Sequence, residues 1–384
     1  SKIDVANMLT GLVPNDNTIR RPNANALIIN GDLAVAQRTT STSSVSSGSN
    51  FVSDRFTFGP STAGTWTISQ EAITSGSPFD DGFRTAFKAD NTTANGSLSG
   101  GSNLQFAQKI EAQDLQVLKY GSSNAEKMTL CFWIKATKTG TNVIEIFGHD
   151  SSRSVSVAYT VSTTNTWEKK TVSIPADTGG TINNDNGTGL EVIWWLVAGS
   201  NFTSGSLQTA WGANSATARA VGQVNNADST SNNVHITGVQ LEVGEYTSSS
   251  IPPFQHESYG DNIARCKRYY QGWGSVYDTG TFGISGRTIS SNRFDSATIT
   301  FIPEMRAAPT VAQGGTADIE NYVFQSDGDS ITAGSGTSFA ALNTQKGSTK
   351  FRVTSNATLS ANRNANCQSG GGDGKQHLTF TAEL

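Results

Sequence analysis

A chain of 384 residues has room for roughly two to three domains, and this one is 35% hydrophobic and 15% charged, with a net charge of −4. Lysine and arginine are spread too thinly for a duplex nucleic-acid surface, which needs a concentrated basic patch, so no nucleic-acid partner is expected. No stretch approaches the roughly 18 apolar residues of a membrane span.

The missing hydrophobic mass is replaced by Ser, Thr, Asn and 39 Gly, while seven Trp, eight Tyr and 18 Phe remain to fill compact cores. Threonine suits a pleated strand, and Gly, Asn and Ser suit tight turns, so the expectation is an all-β protein. Cys131, Cys266 and Cys367 lie far apart among ordinary strand or helix residues. Free thiols are the first reading and a single disulfide the alternative; no metal knuckle is present.

Residues 1–26 hold few large apolar side chains and contain Pro14, Pro22 and several Asn. They read as an arm or linker, with Val5, Met8 and Leu9 available to pack on a partner. The opening SKIDVANMLT has no basic start followed by an apolar run, so no secretory leader is expected in it. LIINGDLAVAQ (27–37) sets an Asn-Gly pair between apolar runs and predicts a hairpin-like turn. TTSTSSVSSGSN (39–50) predicts a flexible polar loop. Three half-buried strands follow, carried by Trp66 and Ile68, by Phe83, Thr85 and Phe87, and by Leu104, Phe106 and Ile110. MTLCFWIKA (128–136) places Met128, Leu130, Phe132 and Ile134 on one face. SVSVAYTVS (154–162) alternates as cleanly. LEVIWWLVAG (190–199) is apolar on both faces, and is therefore either central or covered on its second side by a partner.

At 234–243 the apolar parity switches around Thr237-Gly238, which predicts a bulge at the glycine. Ile251-Pro252-Pro253-Phe254 forbids helix and central strand alike. Ser258 or Asp261 then caps a predicted short helix with Ile263, Cys266 and Tyr270 on one face, ended by Gly272. The expected organisation is an arm at 1–26, a β domain at 27–255 and a second β domain at 256–384. Ile299 with Phe301, Tyr322 with Phe324, Phe351 with Val353, and Leu378 with Phe380 mark strands of the second domain. Pro303 and Pro309 make EMRAA an edge or connection.

VQLEVGEYTSSSIPPFQHESYGDNIARCKRYYQ (239–271) resembles the junction found in many tailed-phage fibre and receptor-binding proteins. FIPEMRAAPTV (301–311), FTAEL (380–384) and LIINGDLAVAQR (27–38) match the same pattern. The resemblance implies a lectin-like jelly-roll sandwich followed by a smaller terminal β domain, in a homotrimer docked to the virion through its N-terminal arm. The strands ending in ITGVQLEV resemble jelly-roll carbohydrate-binding modules, whose concave sheet presents aromatic rings to sugars.

Trp211 and Trp273, in glycine-containing segments, are the first candidates for stacking on a glycan, followed by Trp195 and Tyr270. Trp66 and Trp194 read as core. Asp80-Asp81 and the acidic groups near 318–329 could in principle supply a glycosidase pair, which needs carboxyls roughly 5–9.5 Å apart, but any β protein with 31 acidic residues offers such pairs. His149, His235, His256 and His377 stand isolated. NNDNGTG (183–189) is oxygen-rich but lacks EF-hand spacing, so no metal or other cofactor is expected. The functional expectation is a non-enzymatic virion protein, a tail fibre or receptor-binding protein adhering to host-surface glycan, with host range on the 326–346 and 361–375 loops. The alternatives are a head fibre or capsid decoration protein and, from another class, a glycan-degrading tailspike.

Overall fold

The computed structural model describes residues 26–273, 283–314, 322–326, 329–332, 338–355, 358, 361, 363–369 and 377–384. The predicted arm lies outside these residues except for Ala26. The chain forms two compact units. The first takes the described residues up to Ala34, then Thr40–Val52 and Phe56–Ser258; the second takes Val35–Thr39, Ser53–Arg55 and everything from Tyr259 on. A single boundary near 255 does not capture the two short excursions.

The first unit contains β1 (Ser41–Val45), β2 (Phe56–Ser61), β3 (Thr65–Ala72), β4 (Thr85–Thr93), β5 (Asn103–Glu111) and β6 (Met128–Ala136). It continues with β7 (Gly140–Gly148), β8 (Arg153–Val161), β9 (Glu168–Ile174), β10 (Thr188–Ala198), β11 (Gly212–Ala213) and β12 (Asn233–Val243). Two six-stranded sheets result, β1-β3-β4-β12-β6-β9 and β11-β8-β7-β10-β5-β2. Every pairing within them is antiparallel. Sequence neighbours are divided between the sheets, as in a jelly-roll sandwich.

Period-two alternation turns one face of each sheet inward, and aromatic rings interlock between them. Phe106 stacks on Phe87 of the facing sheet at 4.4 Å and on Phe56 of its own sheet at 4.9 Å, and Trp194 meets Phe132 of the facing sheet edge-on at 5.5 Å. Trp66 and Trp194 are fully buried, as their alternation predicts.

The two-faced strand β10 is central, between β7 and β5. Its second face is covered by the chain itself: Ile193 and Trp195 pack with Ala107, Val143 and Ala220, and Phe202 and Leu207 lie against them. Of the two expected alternatives, a central strand or one covered by a partner, the central position is the one found, with residues of the same chain on the second face.

Local pattern misleads in three further places. The 27–37 stretch makes a turn, with Leu33 N–H donating to the Asn30 carbonyl (2.9 Å), but no hairpin. Instead the Gln108 side-chain amide satisfies both Ile29 backbone groups, at 2.8 and 2.9 Å, as a neighbouring strand would. The 39–50 loop contains the edge strand β1. Strands β2, β7 and β9 carry no clean alternation in sequence, because Pro60, Glu145 and the Glu168–Lys170 run interrupt it.

The parity switch in β12 is a bulge. Thr237 pairs with Trp133 and Gln240 with Cys131, so one extra residue sits on β12. Gly238 adopts φ 61°, and a Cβ there would lie 2.7 Å from the Phe83 ring. Gly238→Ala should therefore destabilise the first unit by about 1–3 kcal/mol from overpacking, plus about 1 kcal/mol for a left-handed backbone. Calorimetry checks this; an unchanged melting temperature contradicts it.

The second unit opens with a helix, α1 (Tyr259–Lys267), followed by β13 (Tyr270–Trp273), β14 (Gly283–Ser290), β15 (Arg293–Ser296), β16 (Ile299–Thr300) and β17 (Thr310–Gly314). Then come β18 (Tyr322–Ser326), β19 (Asp329–Thr332), β20 (Ser338–Leu342), β21 (Ser348–Thr354), β22 (Asn364–Ser369) and β23 (His377–Thr381). A three-stranded sheet, β13-β23-β17, accompanies an eight-stranded one, β16-β21-β15-β14-β22-β18-β19 with β20 on β21. Phe294, Phe351, Phe324 and Phe380 fill the core with Cys367. All three cysteines are buried free thiols.

The helix stops at Lys267, short of the predicted end at Gly272. Tyr270 leaves it to pair with Thr381 in β23, because ladder hydrogen bonds to the chain end replace another helical turn.

The motif stretches meet inside this unit. Arg306 donates to the carbonyls of Ala382 (2.8 Å) and Glu383 (3.0 Å). The Glu383 carboxylate accepts from Arg38 Nη2 at 2.9 Å and from Arg55. Arg55 lies 3.4 Å over the Tyr269 ring, and Arg38 lies 3.8 Å over Tyr270. Gln37 donates to the Tyr270 carbonyl at 3.1 Å. The portions of the quoted motifs that lie in the second unit are thus parts of one structural clamp.

Candidate functional site

The outer face of the eight-stranded sheet in the second unit is mostly polar because alternation sends most apolar residues the other way, although Ile289 of β14 is exposed in the same groove. Along β14, Ile284 is buried while Ser285 and Arg287 are exposed; along β22, Ala365 and Cys367 are buried while Asn364 and Asn366 are exposed. Register aligns the outward residues into two rows. One runs Asn364, Arg287, Asp295, Arg352 across β22, β14, β15 and β21. The other runs Gln325, Asn366, Ser285 across β18, β22 and β14. Lys350 lies two residues from Arg352 on the same face of β21, and Leu342 and Asn343 also face the groove. These residues line an open groove of about 970 Å³.

Its electrostatics are uneven. Arg352 grips Asp295 with two hydrogen bonds, at 2.6 and 2.5 Å. That contact is the largest influence holding the Asp295 carboxyl below its usual range. Ser285 Oγ donates to Asn366 Oδ1 at 2.9 Å. The amides of Gln325, Asn364 and Asn343 are exposed, and each can donate and accept at once. Such a surface suits a ligand rich in hydroxyls. Cross-strand register builds it, so no contiguous motif announces it.

The aromatic candidates fare differently. Trp195 is fully buried: its Nε1–H donates to Glu145 at 3.0 Å, and the Arg219 guanidinium lies 5.0 Å from its ring centre. Tyr270 is 4% exposed beneath Arg38. Neither offers a ring face to a sugar; the packing segment after β10 and the β13–β23 pairing take them inward. Trp211 is half-buried, its Nε1–H donating to the Pro175 carbonyl at 2.7 Å and its ring meeting Tyr120 at 5.6 Å. Trp273 belongs to β13, and its side chain lies outside the described residues. The four are not brought together in one site.

On the outer face of the other sandwich sheet, Trp133 packs with Phe83 and Ile73, with Phe79, Trp167 and Phe254 against them. The proline corner helps cover this cluster, with Phe254 4.8 Å from Phe83. Trp167, passed over in the sequence, is half-buried there with Lys135 5.2 Å from its ring centre.

Titratable groups form no catalytic constellation among the described residues. Asp81 pairs with Lys169 at 3.1 Å on an exposed surface, and residues 318–321 and 327–328 lie outside the described residues. His149 pairs with Glu191 at 3.0 Å, and His235 Nε2 with Glu71 at 2.8 Å. Burial, helped by Lys135, lowers the His235 pKa to about 4, which keeps the ring neutral near pH 7. His256 Nε2 lies 3.0 Å from the Asp81 carbonyl, and the His377 side chain is outside the described residues. In the 183–189 loop the Asp185 carboxylate accepts the Gly187 N–H at 2.8 Å, an Asx turn. No group of three or more His, Cys, Asp or Glu able to hold a metal occurs among the described residues.

No known family and no curated protein matches the chain. Distant likenesses to solved structures exist. One is the enzymatically active domain of tailspike protein 4 from bacteriophage CBA120, at 16% identity and TM-score 0.28, over 52% of this chain and 21% of that one. The chain thus spans about a fifth of that domain's length. Another is the family 11 carbohydrate-binding module from Clostridium thermocellum in complex with a β-1,3-1,4-mixed-linked tetrasaccharide (8% identity, TM-score 0.25, 54% and 99% coverage). A third is the carbohydrate-binding module TmCBM61 in complex with β-1,4-galactotriose (9%, 0.26, 57% and 99%). Likenesses this distant do not place the chain in any of these families.

Proposed function

We propose that the chain is a non-enzymatic virion protein of a tailed phage, a tail fibre or receptor-binding protein that adheres to host-surface glycans. The observation that carries this reading is the open polar groove of the second unit. Asn343 comes from the 326–346 stretch and Asn364 and Asn366 from the 361–375 stretch, the two regions expected to carry host range. Both stretches, expected as loops, are in part strand: Asn364 and Asn366 stand on β22 and Asn343 just after β20, so the polar groups are presented by the β scaffold itself. Adhesion of this kind works by many weak contacts, multiplied when copies are joined. A homotrimer, docked to another virion protein through residues 1–26, supplies that multiplication.

Antibody labelling of intact particles tests the placement. Label at the tail tip or fibres is the expected result. Label over the head would make the protein a head fibre or decoration protein, and unlabelled particles would remove the virion role.

A further inference from the structure

We infer that the groove of the second unit binds an anionic saccharide, one bearing carboxylate or phosphate groups along a hydroxyl-rich chain. This rests on the adhesion reading and names its ligand class.

The groove carries Arg287, Lys350 and Arg352 against a single carboxylate, Asp295. Arg352 is held to Asp295 by both of its hydrogen bonds, and its charge is answered there. Arg287 and Lys350 are exposed and make no side-chain hydrogen bond or ion pair among the described residues. Lys350 acts on Asp295 only through space, so among the described residues the groove presents three cations to one carboxylate, in a chain whose net charge is −4. A local positive field on an acidic protein favours an anionic ligand at this face.

The remaining lining decides what kind of anion. Neighbouring strands lie about 4.8 Å apart, so the Asn364–Arg287–Asp295–Arg352 row reaches about 14 Å across four strands. The second row sits about 7 Å away, two residues along each strand. Gln325, Asn366 and Ser285 in that row offer neutral donors and acceptors in pairs, which hydroxyl groups satisfy and a bare polyphosphate does not. Asp295, kept ionised by Arg352, adds a strong acceptor for a hydroxyl and repels an anion placed directly over it. Anionic groups are thus steered to Arg287 and Lys350 on either side. The lining reads as sites for sugar hydroxyls flanked by two sites for charge.

The test uses the full chain, with polygalacturonate (carboxylate), phosphomannan (phosphate), neutral dextran and inorganic polyphosphate as probes. Binding is measured by calorimetry at low and at physiological salt. The expected result is binding of polygalacturonate, phosphomannan or both, weakening as salt rises, and the difference between those two identifies the charged group. Arg287→Ala with Lys350→Ala should lower affinity by about tenfold or more, the scale of a lost charge-assisted hydrogen bond. Asn366→Ala should also weaken binding, which pure charge attraction would not require. All these side chains are exposed, and unchanged melting confirms that the variants fold. Equal binding of dextran, equal binding of polyphosphate, no binding of either acidic polysaccharide, or a double variant that binds as before would each overturn the inference. The adhesion reading is judged separately: if the double variant still binds host cells like the parent, only the groove assignment falls, whereas a parent chain that binds no host cell removes the adhesion reading itself.

Discussion

Arg219→Leu should be among the most damaging single substitutions in the first unit, costing about 3–5 kcal/mol. Its partner Glu145 has no exposed side-chain surface, and Arg219 Nε sits 2.9 and 3.0 Å from the two carboxylate oxygens. Trp195 supplies another hydrogen bond at 3.0 Å, and Asn214 one at 3.3 Å. Breaking the pair leaves a carboxylate in a place with almost no water. The pH dependence identifies the cause. Burial is the largest influence on Glu145 and raises its pKa, while Arg219 pulls it back down. Without Arg219 the folded carboxyl holds its proton still more tightly, so the folded state then binds more protons than the unfolded one. Stability of the variant falls as pH rises through that elevated pKa and recovers as pH drops. Urea unfolding should show a large deficit at pH 8 that shrinks toward pH 5, and adding Glu145→Gln should restore much of the loss at pH 8. A deficit independent of pH would mean that lost packing against Trp195, and not the stranded charge, is responsible.

Glu383→Ala should have a comparable effect, about 3–5 kcal/mol, on the second unit. The side chain of Arg55 is only 2% exposed and pairs with Glu383; Arg38 shares the same carboxylate. Removing this carboxylate takes an ion-pair partner away from a guanidinium buried over Tyr269. Hydrogen exchange resolves the effect by region. Protection should fall in β13, β17 and β23, which the clamp joins, while strands of the sandwich keep theirs. Glu383→Gln keeps the acceptor and loses the charge, so it should fall between parent and alanine. Full protection in β23 of the alanine variant would show that the clamp is not what holds that strand.

How much of this is legible in the sequence follows from the range of the forces involved. Strands β3, β5, β6, β8 and β10 can be read because one face is buried and the period-two pattern is local. The bulge in β12 is equally local: a parity switch beside a glycine. Strand β9 is invisible because Lys169 and Lys170 interrupt it at the edge of a sheet, where charge is tolerated and protects against edge pairing. Strand β7 is hidden by Glu145, whose burial only makes sense once Arg219, 74 residues away, lies beside it. The same non-locality defeats the aromatic candidates. Trp195 looks available only until the segment carrying Phe202 and Leu207 is folded over it. Conversely, the groove is written in residues as ordinary as Asn364, Ser285 and Gln325, which acquire meaning only when register sets them side by side. Parts of the motifs that carry the resemblance, Gln37, Arg38, Tyr270, Arg306 and Glu383 among them, contact one another within the second unit, so these parts say more about architecture than about ligand.

Adhesion to host-surface glycan is read out by binding of the fluorescently labelled full chain to host cells before and after periodate oxidation of their surface sugars. Saturable binding that disappears on oxidation, and that added host polysaccharide competes away, is the predicted result; binding that survives oxidation undiminished, or no binding to any host cell, would contradict it.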